Sequence, residues 1–177
     1  MRIISGSHKG RRLVAPKNLP VRPTTDFAKE GLFNILHHQI DFPEVTMLDL
    51  FSGTGNIAFE FASRGCPEIM SVDAHHGCVA FIKKTADELE FPISTIKSDV
   101  FKYLEKATGA YDVIFADPPY AFEVKELNTI VENIFQNNLL KPDGMIIIEH
   151  SKQIDISELP HFEHSRRYGG SVFSFFA

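Results

Sequence analysis

The sequence predicts a doubly wound α/β domain with a mostly parallel, seven-stranded sheet. Five short, β-prone apolar runs alternate with segments of helical character, and two further β-prone runs flank Gly169-Gly170 near the end of the chain. Strands that alternate with helices form βαβ units, which build a parallel sheet covered by helices on both faces. The glycine pair predicts an antiparallel hairpin at the C-terminal side of this sheet.

The elements before the sheet predict an N-terminal extension of residues 1–43, followed by a main domain of residues 44–177. RIISG and RRLVA are β-prone and are separated by SHKG, so they predict a β-hairpin. APKNLPVRP is a proline-rich connector. TTDFAKEGLFNILHHQI then predicts a helix, because T-T-D offers capping side chains at its start and Pro43 follows its end.

In the main domain, predicted strands and helices alternate in chain order. The strands are TMLDLF, IMSVDA, ISTIKSD, YDVIFAD and MIIIEHS, and the helices lie in NIAFEFASRG, CVAFIKKTADELEF, VFKYLEKAT and FEVKELNTIVENIFQNNLL. FEHSRRY and SVFSFFA form the closing hairpin. The carboxyl ends of the parallel strands meet at one edge of the sheet, where open α/β sheets bind their ligands.

The composition is that of one globular domain. The chain has 177 residues, of which 44% are hydrophobic and 23% are charged. No run is long enough to span a membrane, and the N-terminus lacks the apolar core of a signal peptide. Cys66 and Cys78 form neither a disulfide framework nor a metal-binding pair, and His75-His76 lacks further ligands at workable spacing. We therefore expect a cytoplasmic, monomeric protein without a metal site.

Charge is distributed unevenly along the chain. The formal net charge is −5, which argues against a general nucleic-acid binder. Residues 1–22 nevertheless hold six basic residues and no acidic one, so the remainder of the chain carries −11. A basic arm on an acidic body predicts a polyanionic partner, although a solvated surface segment would show the same pattern.

A glycine loop follows the first predicted strand in DLFSGTGNIA. Gly53 and Gly55 allow a tight turn and let a ligand approach backbone amides at the start of the next helix. The spacing fits G-x-G-x-x-A, with Asp73 about 20 residues farther on to accept hydrogen bonds from ribose hydroxyls. These features suit any adenosine cofactor, NAD included.

Two further acidic residues favour S-adenosylmethionine among those cofactors. Asp49 lies inside the first strand, where a buried carboxylate is costly unless a partner is supplied. S-adenosylmethionine carries both a sulfonium and an ammonium group. Asp99 ends the third strand, where it can accept from the adenine amino group while the Val100 N–H donates to the ring. Helix capping is the alternative role for such acids.

The fourth strand ends in F-A-D-P-P-Y. A residue that precedes proline is held extended and proline offers no N–H, so Asp117 and Pro118 present a rigid group of hydrogen-bond acceptors. Such acceptors suit an exocyclic amine whose lone pair points at an electrophilic methyl group. Tyr120 can stack on an unpaired or flipped base. A proline-terminated strand without chemistry is the alternative, but D-P-P-Y after D-x-F-x-G-x-G is a specific combination.

These motifs resemble those of class I S-adenosylmethionine-dependent methyltransferases that modify amino nitrogens. RIISGSHKGRRLVAP, VRPTTDFAKEGLFNIL, DLFSGTG, FADPPY and RRYGGSVFSFF narrow the resemblance to the bacterial 16S rRNA (guanine-N2)-methyltransferase family of the RsmD type. It covers nearly the whole chain. The resemblance implies a Rossmann-like methyltransferase sheet and methyl transfer to the N2 amine of a guanine in 16S rRNA, within a small-subunit particle or assembly intermediate.

The resemblance also implies roles for individual residues. Thr24 and Asn34 would line the methionine end of the cofactor. The chain departs from the family pattern at Phe27, where arginine is expected, and at Gly31, where a better helix former is usual. The implied cofactor-binding residues are Asp49, Phe51, Gly53, Gly55, Asp73, Asp99 and Val100, the implied catalytic residues are Asp117, Pro118, Pro119 and Tyr120, and the implied RNA contacts are Lys9, Arg11, Arg12 and Arg22.

Three other functions fit parts of the pattern. Methyl transfer to an adenine in DNA or to a protein glutamine would use the same cleft, but it leaves the basic arm and R-P-T unexplained. An NAD-dependent oxidoreductase would explain G-x-G-x-x-A but not D-P-P-Y. A non-enzymatic RNA-binding module would keep an inactive cleft and would bind RNA without help from Asp117.

Overall fold

In a computed structural model, which describes residues 1–177, the predicted alternation of strands and helices is confirmed. No helix is both long and apolar enough to cross a lipid bilayer. The strands are β1 (Thr46–Leu50), β2 (Glu68–Asp73), β3 (Ile93–Lys97), β4 (Tyr111–Ala116), β5 (Leu140–Ser151), β6 (Phe162–Tyr168) and β7 (Ser171–Phe176). The helices are α1 (Asp26–His37), α2 (Asn56–Ser63), α3 (His76–Leu89), α4 (Val100–Lys106) and α5 (Val124–Gln136), with a short 3-10 helix at Phe42–Glu44.

The seven strands form one sheet in the order β3-β2-β1-β4-β5-β7-β6. The neighbours among β1 to β5 are parallel, whereas β7 is antiparallel to both β5 and β6. This is the doubly wound sheet with a C-terminal antiparallel hairpin that the sequence predicts. The chain order reverses between β1 and β4, which lie side by side, so a crevice opens outside their carboxyl ends.

Alternating residues of the central strands supply two hydrophobic cores, one on each face of the sheet. Met47 and Val113 pack with α1 and α2, whereas their neighbours Leu48 and Ile114 pack with α4 and α5. The central strands β1 and β4 are mostly apolar because both faces of the sheet are buried there. Helix α1 packs into the same core as the sheet. The domain boundary after residue 43 stays a prediction.

The predicted N-terminal β-hairpin does not form as two regular strands. The first residues of the chain fold back with a single antiparallel bridge, between Arg2 and Arg12. The amides of Ile4 and Ser5 donate instead to the Glu60 carboxylate on α2, at 2.8 and 3.0 Å. Beyond the bridge the pairing ends, because the Gly10 N–H donates to the Ile3 carbonyl and the Arg11 N–H donates to the His8 carbonyl. The Glu60 side chain holds this segment against the body of the protein.

Glu60 belongs to a buried ion cluster that it forms with Lys29 and Arg64. Lys29 is 1% exposed, and its Nζ lies 3.1 Å from Glu60 Oε1. The same ammonium donates to Asn56 Oδ1 at 2.8 Å and to the Arg2 carbonyl at 2.9 Å, while Arg64 Nε donates to Glu60 Oε2 at 2.9 Å. Burial lowers the pKa of Lys29, and the Glu60 carboxylate opposes that shift. The cluster joins the N-terminal segment, α1 and α2.

Two departures from the family pattern meet at one tyrosine of β6. A Cβ atom on Gly31 would lie 2.2 Å from the Tyr168 ring, and the Tyr168 hydroxyl donates to the Gly31 carbonyl at 3.3 Å. Phe27 is 65% exposed, and its ring makes an edge contact with the same tyrosine at a centroid distance of 5.7 Å. Glycine and phenylalanine at these positions therefore form one contact between α1 and β6.

We expect Gly6→Ala to destabilise the protein more than Gly10→Ala. Their φ angles are +91° and +84°, so both variants carry the cost of a left-handed alanine, about 1 kcal/mol. A Cβ on Gly6 would also lie 1.9 Å from the Ser63 carbonyl oxygen, whereas one on Gly10 meets nothing within 4 Å. This clash should add about 1–3 kcal/mol to the loss of unfolding free energy in urea. Equal losses would show that the N-terminal segment does not rest on α2.

Candidate active site

A cavity of about 510 Å³ opens at the carboxyl edge of the sheet, beside the point where the strand order reverses. Its walls come from the loops after β1, β2, β3 and β4 and from the connector before α1. The structure therefore brings together the glycine loop, the acids and the D-P-P-Y turn, which are far apart in the sequence. The lining residues are Pro20, Val21, Arg22, Phe51, Gly53, Asp73, Ala74, His75, Asp99, Val100, Asp117, Pro118, Pro119, Tyr120 and Phe122.

The loop after β1 contains three residues with left-handed backbone conformations. Phe51, Gly53 and Gly55 have φ angles of 56°, 55° and 83°, and Gly55 is the N-cap of α2. The Gly53 N–H donates to Asp73 Oδ2 at 2.8 Å, while the His75 N–H donates to Oδ1 of the same carboxylate at 2.8 Å. Asp73 is thereby fixed at the end of β2, and each oxygen retains a lone pair for a ligand hydroxyl.

Asp49 is a buried carboxylate without a full set of partners. It is 2% exposed, and its Oδ2 atom makes no hydrogen bond. Burial raises the pKa of Asp49 well above its usual range, and the charge of Asp73 raises it further. Asp49 borders a small pocket that shares Arg22 and Gly53 with the main cavity. A cationic group bound there would supply the missing partner, so the residues present fit the ammonium-bearing end of S-adenosylmethionine.

Asp99 and Val100 lie where β3 leads into α4, and both line the cavity. The Asp99 carboxylate caps the helix by accepting the Lys102 N–H at 3.1 Å, which is the alternative role considered for it. Val100 is the first residue of the helix, so its N–H has no acceptor within the helix. Capping occupies one carboxylate oxygen and leaves the other for a ligand, so contact with adenine stays a prediction.

The D-P-P-Y turn begins where β4 leaves the sheet. The Asp117 N–H still donates to the Leu50 carbonyl at 3.3 Å, and the two prolines then end the ladder. The Asp117 carboxylate accepts a hydrogen bond from Arg22 Nη2 at 3.2 Å. The Tyr120 hydroxyl lies 3.2 Å from Ser171 Oγ, and the Arg22 Cζ lies 3.4 Å from the centroid of the Tyr120 ring. Arg22 is therefore inside the cavity and not with the other basic residues of the arm.

Glu149, near the end of β5, contacts residues of the site, although sequence reasoning favoured a structural role for it over one facing the cleft. It is completely buried, and its Oε2 accepts from the Thr24 hydroxyl at 3.0 Å. Its Oε1 makes no hydrogen bond and lies 3.8 Å from Arg22 Nη2. Burial raises the pKa of Glu149, and burial together with the Glu149 charge raises the pKa of Asp117, while Arg22 opposes both shifts. The sequence signal for Glu149 was its position directly after the apolar run MIII.

Several predicted residues lie outside the main cavity. Lys9, Arg11 and Arg12 are exposed, and the two arginines border a second cavity of about 560 Å³ between the N-terminal segment and α3. Thr24 borders the small pocket, whereas Asn34 is exposed on α1 and borders neither the main cavity nor the small pocket, and the roles of both residues at the cofactor stay predictions. No group of three or more His, Cys, Asp or Glu side chains is placed to hold a metal ion.

The sheet order, the glycine loop and the D-P-P-Y turn together define a class I methyltransferase fold. A hypothetical protein from Thermus thermophilus superposes with a TM-score of 0.84 at 25% identity, covering 99% of this chain and 98% of that one. The 16S rRNA N2 methyltransferase RsmC of T. thermophilus, in complex with AdoMet and guanosine, has a TM-score of 0.69 at 19% identity, covering 89% of this chain and 44% of that one.

The particular family follows from sequence comparison. The family model described as Conserved hypothetical protein 95 matches residues 1–177, and the chain belongs to this family, the RsmD family. Ribosomal RNA small subunit methyltransferase D of Haemophilus influenzae is 31% identical over 157 residues, 86% of this chain and 79% of that protein. The protein of the same name from Buchnera aphidicola subsp. Acyrthosiphon pisum is 33% identical over 158 residues, 87% of this chain and 80% of that protein. The resemblance carried by the motifs is thereby confirmed.

Proposed function

We propose that this protein transfers a methyl group from S-adenosylmethionine to the exocyclic N2 amine of a guanine in 16S rRNA. The observation that carries the proposal is that Asp117 and Tyr120 line the same cavity as Gly53, Asp73 and Asp99. One group of residues suits an amine on a planar base, and the other suits an adenosine cofactor. Membership of the RsmD family and relatives named ribosomal RNA small subunit methyltransferase D support the substrate class.

The cofactor half of the site follows from the chemistry of its residues. Asp73 would accept from the ribose hydroxyls, and Asp99 and the Val100 N–H would meet the adenine. Asp49 would face the ammonium group, directly or through water, and Gly53 lets the cofactor approach the backbone. When bound, S-adenosylmethionine supplies a methyl group made electrophilic by the adjacent sulfonium.

The target half of the site orients the amine. The Asp117 carboxylate, with the carbonyls of Asp117 and Pro118, would accept the two N–H bonds, so the nitrogen lone pair faces the methyl carbon. The amine nitrogen would take the methyl carbon from the sulfonium, whose C–S bonding pair would stay on sulfur, and the amine would then have one proton to lose. Asp117 would receive this proton, a role supported by its pKa, which burial and the Glu149 charge raise above that of an exposed aspartate. Pro119 and Tyr120 would hold the base ring.

The basic arm supplies the contacts that we propose for the rest of the RNA. Lys9, Arg11 and Arg12 would bind phosphates of a small-subunit particle or assembly intermediate. Lys84 of α3 lines the second cavity together with Arg11 and Arg12, so it adds a positive charge to the surface that we propose for RNA binding. We place the protein in the cytoplasm as a monomer, because its substrate is ribosomal RNA and its arm and cavity belong to one chain.

The proposed function is tested by transfer of labelled methyl groups to small-subunit rRNA and particles from cells that lack the enzyme. The nucleosides of the product are then separated. Label in N2-methylguanosine that is lost with Asp117→Ala would support the cofactor, the substrate and the site together. Label in another nucleoside would overturn the choice of guanine. An absence of label, together with no S-adenosylmethionine binding by calorimetry, would overturn methyl transfer altogether.

We expect the affinity for S-adenosylmethionine to rise with pH until Asp49 is ionised in the free protein. The raised pKa of Asp49 keeps the carboxyl protonated above the usual range, while the ammonium of the cofactor favours the ionised form. Binding should therefore release a proton, which calorimetry in buffers of different ionisation enthalpy measures. Asp49→Asn should weaken binding about tenfold and reduce the pH dependence, whereas the exposed Asp87→Asn should change neither. An unchanged pH dependence in Asp49→Asn would refute this role.

A further inference from the structure

The guanidinium of Arg22 occupies the part of the cavity where the target base is expected. Its Cζ lies 3.4 Å from the centroid of the Tyr120 ring, and its Nη2 donates to Asp117 Oδ1 at 3.2 Å. The same nitrogen lies 3.8 Å from Glu149 Oε1. A planar group with N–H donors thus stacks on the tyrosine and points toward two carboxylates.

Guanine presents the same chemical pattern. Its C2 atom and the N1, N2 and N3 atoms bonded to it form a planar unit that resembles a guanidine, and N1–H and N2–H donate in parallel to a pair of acceptors. Adenine differs, because its N1 atom is an acceptor and would face a carboxylate without a hydrogen between them. The contacts that hold Arg22 would therefore hold guanine better than adenine.

We propose that Arg22 is a stand-in for the target guanine, and that the incoming base replaces it on Tyr120, Asp117 and Glu149. The two carboxylates then select guanine by accepting from its N1–H and N2–H donors. The proposal rests on the proposed function. It adds Glu149 as a residue that determines base specificity, and Arg22 as a side chain that competes with the base for its binding site.

The surroundings of Glu149 support this role. The side chain is completely buried, and an unpaired carboxylate oxygen in such a place is costly unless a donor is brought to it. The Thr24 hydroxyl holds Oε2 at 3.0 Å, while Oε1 makes no hydrogen bond and lies on the side of Arg22. A guanine N–H in the place of the arginine would supply the missing donor.

Arg22 is suited to leave when the base arrives. Its side chain is 42% exposed, and it lies in the connector before α1, which forms neither helix nor strand. Because the guanidinium itself is partly solvated, its ion pairs with the two carboxylates are weaker than those between two fully buried partners. Once displaced, the guanidinium is free to pair with a phosphate next to the target nucleotide, since arginine binds phosphate oxygens through paired donors.

The test is a titration of the full chain with guanosine and with adenosine, in the presence of S-adenosylhomocysteine, followed by NMR. Arg22→Ala should bind guanosine about tenfold more tightly than wild type, because the base no longer competes with the arginine. Adenosine should gain less than about twofold. Adding Glu149→Gln to Arg22→Ala should remove most of the gain for guanosine. Arg166→Ala, which deletes an exposed arginine of β6, serves as the matched control and should leave both affinities as in wild type.

Each other outcome overturns the inference. No gain for guanosine in Arg22→Ala would show that the arginine does not occupy the base site, provided that S-adenosylhomocysteine still binds and the fold is intact by circular dichroism. An equal gain for both nucleosides, or a gain that survives Glu149→Gln, would show that the carboxylates do not select the base. Methyl transfer by the wild-type protein to small-subunit particles is measured in parallel. Its success beside a failed titration would refute the stand-in and leave the proposed function intact.

Discussion

Asp117→Ala is expected to lower kcat for rRNA methylation by about 10³-fold, because the amine would lose the acceptor that aims its lone pair at the methyl group. The carboxylate lies in the cavity beside Arg22 and Tyr120, and its N–H is still anchored to β1 through the Leu50 carbonyl. The substitution should therefore remove one functional group without moving the turn. Single-turnover kinetics with excess enzyme would measure the chemical step directly.

Asp117→Asn separates orientation from proton transfer. The amide keeps an oxygen acceptor of nearly the same shape but does not act as a base, so we expect a smaller loss of about 10–100-fold in kcat. Cofactor affinity should stay within about twofold of wild type in both variants, since Asp49, Asp73 and Asp99 remain in place. Wild-type kcat in Asp117→Ala would remove this residue from the mechanism.

Glu60→Ala is expected to cost about 3–5 kcal/mol of unfolding free energy, the range for removing one partner of a buried ion pair. Glu60 is completely buried, and its carboxylate faces Lys29 and Arg64 as well as the amides of Ile4 and Ser5. Removing it would leave an uncompensated lysine inside the protein and free the N-terminal segment. Urea denaturation gives the stability, and faster tryptic cleavage within the first residues would report the freed segment.

Glu30→Ala is the matched control for this change. Glu30 also pairs with a basic residue, Arg2, at 3.5 Å, but the two side chains are 48% and 45% exposed. Exposed ion pairs are screened by water, so the loss should stay below about 1 kcal/mol. If Glu60→Ala were as mild as Glu30→Ala, the buried cluster would not be what holds the N-terminal segment to α2.

Much of the fold and of the site could be predicted from local patterns. The alternation of β-prone and helical segments indicated the parallel sheet. D-P-P-Y marked the end of β4 because proline cannot donate to the sheet ladder, and the glycine loop marked the end of β1 because glycine permits a tight turn. The N-terminal hairpin was less well predicted. Its β-prone residues were present, but a turn at Gly10 and Arg11 ends the pairing, and the segment is held by the Glu60 side chain on α2.

The buried polar residues could not be predicted in the same way. Nothing in the sequence marks Lys29 of α1 as buried, and Glu149 is assigned a structural role, because charged side chains are seldom buried unless paired. Their partners lie far away in the sequence: Thr24 and Glu149 are separated by 125 residues. A pattern read along one segment carries no information on such pairs.

Local sequence patterns are enough to specify the class of sheet, the edge at which ligands bind and which motifs stand at the strand ends. These depend on hydrophobic period and on the backbone limits of glycine and proline, which are local properties. The position of Arg22, in the cavity and not on the basic arm, follows only from the folded chain. Folding placed a residue 95 positions away from Asp117 within hydrogen-bond distance, because the connector before α1 crosses the sheet edge where β1 and β4 end.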